Sequence, residues 1–275
     1  MTSAQIAAVW GLASAVLMPV FLMGLCRVTL ERVWPVSPAR KAGSILNVVA
    51  YLVWFTAVGA FAPAVSAYST FVTNQLGGGF IALPSHGWGL AAGFLLYFLT
   101  MDLSEYLFHR AEHAFPWLWS MHSLHHSDPG FDSTTSLLHY WIAPLFKTLT
   151  VSVPLALVFK VPALDLALYA LLSNHVYIMH ANLKWDFGRL SWLWTSPAYH
   201  RVHHSALPEH FDRNFASMLP IWDVLFGTYT PMSAGQWPPT GLGEGGEARG
   251  LFDLVFWPVR EPLRAALARR RPVGA

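Results

Sequence analysis

The stretch HRAEHAFPWLWSMHSLHH, residues 109–126, holds five histidines, and the chain returns to its last pattern as HRVHH at 200–204. His109 and His113 are four apart, about 40° around a helix, so both rings leave one face a turn apart. His122, His125 and His126 stand at i, i+3 and i+4, an arc of about 100°, and His200, His203 and His204 repeat that spacing. Ser196 followed by Pro197 supplies an N-cap and a first-turn proline, so a short helix is predicted to begin just before His200.

A lone HxxxH on a helix is as often structural as functional. Two HxxHH boxes among 13 histidines are a different matter, since chance predicts on the order of a few hundredths of one. Core or surface histidines therefore lose to metal binding as the reading of the three boxes. Cys26 is the single cysteine, which excludes an intrachain disulfide, a cysteine-based zinc site, a cysteine-held iron–sulfur cluster and a CxxC redox pair. Eight boxed histidines exceed the four ligands of a structural zinc, and two metals accommodate the count. Imidazole suits zinc, copper, iron and nickel alike. Neutral ligands leave two divalent ions most of their charge, which favours an anionic oxygen species between them and so oxygen chemistry.

Composition places these boxes in a membrane setting. The chain is 54% hydrophobic and only 12% charged, about half the charge of an ordinary soluble domain. Apolar windows near the roughly 20 residues needed to cross a bilayer predict spans at about 5–26, 44–68 and 87–108, followed by an apolar helical hairpin over 139–180 that breaks at Lys160–Pro162. Lys147 and Pro154 weaken the first arm, which is expected to lie tilted or partly inserted with Lys147 snorkelling. Arg27, Arg32, Arg40 and Lys41 put the loop after the first span in the cytoplasm, and the TNQLGGGF loop, free of Lys and Arg, on the far side. All boxes then share the cytoplasmic face. The tail at 250–271 reads as amphipathic, its arginines suited either to an anionic leaflet or to solvent. No basic cluster interleaved with aromatics points to nucleic acid. The predicted fold is an all-α, multi-span membrane bundle of one domain (residues 1–275), with a cytoplasmic di-metal site lined by histidines.

The ordered set DLSEYLFHRAEH, MHSLHHSD, HANL (180–183), SPAYHRVHHS and WDVLFGTY (222–229) resembles the integral-membrane fatty acid hydroxylase superfamily of sterol desaturases and lipid hydroxylases, over about Asp102 to Tyr229. The resemblance implies a non-haem di-iron centre that uses dioxygen and external electrons on lipid chains or sterols. Carried over, the implied ligands are His109, His113, His122, His125, His126, His200, His203 and His204, with His180 of HANL as a ninth. The family's Arg-x-His-Pro pattern stands here as Leu137-Leu138-His139-Tyr140, and its Asn-aromatic-Gly as Asn214-Phe215-Ala216, which leaves the subfamily open.

Asp102, Glu105, Asp212 and Asp223 are candidates to accept the free N–H of a ligating imidazole, against an interfacial role for the first two. His139 is a candidate either to support the ligating rings from behind or to line the pocket, with ligation the alternative; His175 reads as structural, and His86 and His210 as loop residues. Leu137, Tyr140 and Leu171 are candidate walls for a lipid tail, with core packing the alternative for Leu171. The reading that follows is an oxidoreductase holding two iron ions, replaceable by zinc in a purified sample. It would hydroxylate a lipid with dioxygen and electrons from a ferredoxin, cytochrome or reductase. Desaturation is the alternative chemistry, and a non-enzymatic metal binder or transporter the alternative class.

Overall fold

The computed structural model describes residue 21 and residues 24–25, 27–36, 41–232 and 235–269. The expected span at 5–26 lies outside these apart from residues 21, 24 and 25. The described chain is mostly helical, as its apolar periodicity predicts. Helix α1 (Lys41–Leu76) runs well past the expected end at 68, and α2 (Gly87–Ala114) continues past 108 to carry His109 and His113 on its last turns. Within them, Ser44–Phe61 and Gly87–Ala114 are long and apolar enough to cross a membrane, by length and composition.

Helix α3 (Pro116–His126) follows after one residue, Phe115, in extended conformation. Pro116 opens it, as expected of a residue that lacks an N–H to lose. The turn reverses the chain so that the last turn of α2 faces α3 and brings the HxxxH and the first HxxHH together.

The hairpin at 139–180 is not a pair of plain helices. It is divided into α4 (Ala143–Lys147), a π turn (148–152), α5 (Val153–Val158), β2 (Phe159–Lys160), α6 (Ala163–Ser173) and α7 (His175–Met179). Pro144 and Pro154 occupy first-turn positions of α4 and α5, which is where proline divides an apolar run without orphaning an N–H. At about 1.5 Å per residue, the 16-residue arm from Ala143 to Val158 is shorter than a bilayer core of about 30 Å. At the far end, β2 pairs in parallel with β1 (Ile81–Ala82), joining the α1–α2 and α5–α6 connections. Gly79, at φ +78°, donates its N–H to Leu157 O, and a Cβ there would lie 3.0 Å from that of Lys160, so this turn requires glycine.

A knot of buried polar groups ties the segment after α3 to the rest. Asn47 Nδ2 donates to Asp128 Oδ2 (2.8 Å) and Thr134 Oγ1 (2.9 Å), and Asp132 caps the 3₁₀ turn 133–137. Glu31 Oε1 accepts from the N–H groups of Ser133 (2.7 Å) and Asn182 (2.8 Å), joining chain segments far apart in sequence. Phe131, at φ 35° and fully buried, packs on the rings of His180, His200 and His204.

The tail forms α10 (Leu251–Arg269), which lies along α3; elements α8 (Pro197–His203) and α9 (Ile221–Phe226) complete the set described here. Trp257 is fully buried and its Nε1 donates to Ser123 Oγ at 3.0 Å, between the histidines of the first HxxHH. Two of the tail's arginines, Arg260 and Arg264, turn inward. Arg260 pairs with Asp253 (3.1 Å) and Arg264 with Glu261 (2.7 Å), because the 244–247 loop offers both of them carbonyl acceptors as well. The outward face is apolar instead: Phe252, Phe256, Val259 and Leu263 are exposed at helical spacing.

Candidate metal centre

Nine histidines converge in two adjoining groups: His109, His113, His122, His126 and His203 in one, His125, His180, His200 and His204 in the other, with the donor nitrogens of each within 4.8 Å of one another. The two boxes contribute in opposite senses. On α3 the i, i+4 pair His122 and His126 enters the five-histidine group and His125 the other. On α8, His200 and the adjoining His204 enter the four-histidine group and His203 the five. Residues i+3 and i+4 diverge by about 100°, so neighbouring histidines can aim at two sites. An HxxHH is the shortest pattern that supplies a same-face pair to one site and a single ring to the next. The HxxxH of α2 adds a pair to the first group and His180 completes the second.

Helix α8 begins as the sequence predicts: Ser196 Oγ accepts from Tyr199 N–H at 3.1 Å and Pro197 sits in the first turn. The ring stack of His126 on His204, 4.3 Å between centroids, is where the two groups meet.

The tautomers follow from the partners. A carbonyl oxygen only accepts, so the ring nitrogen facing it carries the proton. His109 Nδ1 donates to Phe215 O (2.8 Å), His203 Nδ1 to Arg213 O (2.8 Å), His125 Nδ1 to Leu138 O (3.2 Å) and His180 Nδ1 to Val176 O (2.7 Å). His113 Nδ1 faces Asp212 Oδ1 at 3.3 Å and His122 Nδ1 faces Glu112 Oε2 at 3.4 Å. Burial, reinforced by neighbouring imidazoles, holds His125, His126, His200, His203 and His204 well below the ordinary histidine pKa, so these rings are neutral. Each Nε2 on a ring fixed in this way presents a bare lone pair to its group.

These lone pairs are crowded. His125 Nε2 lies 3.0 Å from His180 Nε2, His180 Nε2 2.9 Å from His200 Nε2, and His109 Nε2 3.1 Å from His122 Nε2. His203 Nε2 is buried with no hydrogen-bond partner. Two lone pairs at such distances repel unless a cation sits between them. A metal–nitrogen bond of about 2.0–2.1 Å places donor nitrogens about 2.9 Å apart at a right angle and about 3.4 Å apart at the tetrahedral angle. The spacing, the tautomers and the neutral donors all fit divalent transition metals.

The acidic candidates separate. Asp212 meets His113, as expected of a carboxylate that orients a ligating ring. Asp102 turns away, accepting from the N–H groups of Met218 and Leu219 (3.1 Å each) and from Trp222 Nε1 (2.8 Å), and Glu105 meets Lys147, Tyr169 and Ser217 but no imidazole. At i−7 and i−4 from His109 they share its side of α2, but they lie nearer the helix middle, where other segments pack. Lys147, expected to snorkel, directs its ammonium to Glu105 at 2.6 Å. Asp223 accepts from the N–H groups of Phe215 (2.8 Å) and Ala216 (3.0 Å), from Thr228 Oγ1 (2.7 Å) and from Tyr199 Oη, so it reaches His109 only through the Phe215 carbonyl.

That loop is held by residues in left-handed conformation, Asp212 (φ 56°) and Asn214 (φ 59°), types that tolerate it. Asn214 Nδ2 donates to Tyr199 O and Thr230 O, and its Oδ1 accepts from Thr230 N–H. The carbonyls of Arg213 and Phe215 on either side then fix His203 and His109. Glu112 was not among the expected residues. Its sequence signal was its place beside His113 in HRAEH, three residues past His109.

His139 stacks on His125 at 4.4 Å, nearly parallel, and is in neither group. His175 Nε2 contacts Thr195 O (2.7 Å), and His210 Nδ1 contacts Ser205 Oγ (2.9 Å), both apart from the groups. Tyr140 donates to Val255 O, and Leu171 is 67% exposed on the outer side of α6, so neither forms the expected wall. Leu137 does: it lines a cavity of about 310 Å³ with Tyr51, His109, Glu112, His122, His125, His139 and His180. On the opposite flank a larger cavity of about 520 Å³ is lined by His113, His126, His203, His204, Asp212, Glu261 and Arg264.

Comparison with known proteins converges on the same segment. Residues 94–228 match the fatty acid hydroxylase family. The chain is 34% identical over 154 residues to an alkylglycerol monooxygenase of Danio rerio, a match covering 56% of this chain and 33% of that protein. It is 31% identical over 132 residues to the alkylglycerol monooxygenase of Homo sapiens, covering 48% and 29%. With the ornithine lipid hydroxylase OlsE of Rhizobium tropici it shares 28% over 167 residues, 61% of this chain and 47% of the relative. The chain thus spans from under a third to just under half of these curated relatives. No solved structure matches.

Proposed function

Because residues 94–228 carry a fatty acid hydroxylase domain, we propose that this chain is a multi-pass membrane oxygenase that hydroxylates a lipid at a di-iron centre. The observation that carries the reading is the crowding of neutral, Nδ1-anchored histidines whose Nε2 lone pairs converge in two groups beside a largely apolar cavity. Named relatives act on lipids as monooxygenase or hydroxylase, and that chemistry is what we assign here.

His109, His113, His122, His126 and His203 would hold one ion, and His125, His180, His200 and His204 the other. Iron supplies dioxygen activation when bound, with electrons from an external donor. The protein's own contribution is positional. Carbonyl and carboxylate acceptors lock the tautomers of the rings they meet, and that outer set raises ligand basicity. Phe131 and His139 pack on the four-histidine group, and Leu137, Tyr51 and Met179 wall the 310 Å³ cavity, limiting water around the reacting carbon. Lipid would enter on this side, while the more polar 520 Å³ cavity gives the electron donor its approach.

The number of ions tests the ligand assignment. Purified protein should carry about two metal ions per chain, with iron supporting activity even where zinc replaces it. Metal analysis that finds one ion or fewer in fully active protein would contradict the two-group arrangement.

The membrane orientation is part of the same proposal: the basic segment 27–41 and all histidine boxes lie in the cytoplasm, and the glycine turn at 77–79 lies opposite. Reporter fusions at residues 41 and 130 should report one compartment and a fusion at 78 the other. Residues 41 and 130 on different sides would break the scheme.

A further inference from the structure

Helix α10 divides its residues between two sides, and the outer one carries no charge. Leu251, Phe252, Val255, Phe256, Val259 and Leu263 are all exposed. At about 100° per residue they fall within one arc of about 140°. No charged residue between positions 251 and 266 lies inside that arc. Asp253, Arg260, Glu261 and Arg264 lie on the other side, where Arg260 meets Asp253 (3.1 Å) and Arg264 meets Glu261 (2.7 Å). A contiguous apolar face of this kind marks an interaction site.

The inner side of the helix indicates what covers the outer one. Leu254 and Trp257 share a buried cluster with Ala50, and Leu46 and Val49 pack against it. These α1 residues lie in the first turns of Ser44–Phe61, which is long and apolar enough to cross a membrane. Helix α10 is therefore docked where that segment begins. Tyr140 Oη donates to Val255 O at 2.9 Å, so the edge of the arc meets the start of the apolar hairpin. On the opposite edge Arg260 Nη1 donates to Glu247 O (3.2 Å) and Arg264 Nη1 to Glu244 O (2.9 Å), in a polar loop. A bilayer surrounding α1 and the hairpin reaches the apolar edge first. Ile45 and Leu52, seven apart on α1 and both exposed, continue the apolar surface into that segment. The charges of Asp253, Arg260, Glu261 and Arg264 bar α10 from crossing the bilayer itself.

We infer that α10 lies in the plane of the leaflet from which α1 enters, with Phe252, Phe256, Val259 and Leu263 sunk to the boundary between headgroups and acyl chains. Apolar insertion holds it there, and attraction to anionic lipid does not, because Arg260 and Arg264 are committed to carboxylates and loop carbonyls. The bilayer thereby supports one wall of the 520 Å³ cavity beside the histidines, since Glu261 and Arg264 line that space from the inner side of the same helix. This rests on the membrane placement proposed above and adds a surface that the placement of the spans does not require.

The test is the depth of single fluorophores in the full-length, metal-loaded protein in nanodiscs. Cys26→Ser removes the one native cysteine. Phe252→Cys, Phe256→Cys, Val259→Cys and Leu263→Cys then each carry an NBD label, with Leu52→Cys as the control within the span and Glu244→Cys as the control in water. The α10 labels should be quenched by phosphatidylcholine bearing a nitroxide high on its acyl chain and shielded from aqueous iodide, at about 5–10 Å below the headgroup surface. The label at residue 52 should lie deeper, and the label at 244 should respond to iodide alone. The α10 depths should be the same in phosphatidylcholine and in a mixture with phosphatidylserine, and should withstand high salt. Iodide quenching of the α10 labels equal to that at 244 would overturn the inference, as would insertion only with phosphatidylserine. Shielding from both quenchers, with two copies in each disc, would assign the face to a second copy instead. Failure of the membrane placement is distinguishable, because the label at residue 52 would then be in water too; residue 52 in lipid with α10 in water overturns this inference alone.

Discussion

His203→Ala is expected to empty the five-histidine group and to abolish lipid oxidation, with a loss well beyond the roughly 10–100-fold that changing an outer partner of a ligand costs. His203 is the one member of that group contributed by α8, and its Nε2 has no other partner. Metal content should fall from about two ions per chain toward one while the helical content measured by circular dichroism stays. His125→Ala should deplete the other group in the same way. His175→Ala is the contrast: it lies in neither group and should keep both ions. Retention of two ions and full activity by His203→Ala would remove the basis for the assignment.

Labelled dioxygen gives the second large effect. In the presence of a reductant, one labelled oxygen atom should appear in the lipid product, and His204→Ala should bring that label to background. A product lighter by two hydrogens and free of label would replace hydroxylation with desaturation. Product formation without oxygen, or at the original rate by His204→Ala, would end the oxygenase reading and restore the metal-binder or transporter class.

The spacing of the boxes was legible because helix geometry is local: i, i+3 and i+4 determine relative directions whatever the rest of the chain does. The start of α8 at Ser196–Pro197 was legible for the same reason. What could not be read was the exchange by which α3 and α8 each send their pair to a different group, since that depends on how two helices far apart in sequence are docked. The acceptors for His109 and His203 are backbone carbonyls of Phe215 and Arg213, and any residue type offers a carbonyl. Asp102 and Glu105 were misplaced because shared helix side says nothing about height along the helix or about which segment packs there. Pro144 and Pro154 were visible as breaks, but whether the chain bends or stops at them is decided by packing in the hairpin.

The exchange between the two boxes also constrains how the protein can be made. Every one of the first six proposed ligands, from His109 to His180, precedes α8, yet each group draws on α8 and the residue after it for completion: His203 in one, His200 and His204 in the other. A nascent chain that has not yet delivered residue 204 from the ribosome therefore has no finished site of either kind. If the two groups hold metal as proposed, both would be completed in one late step. On this assignment completion of either group must await the docking of one seven-residue helix, and a chain stalled before it would leave the ribosome with its imidazoles open to any metal at hand.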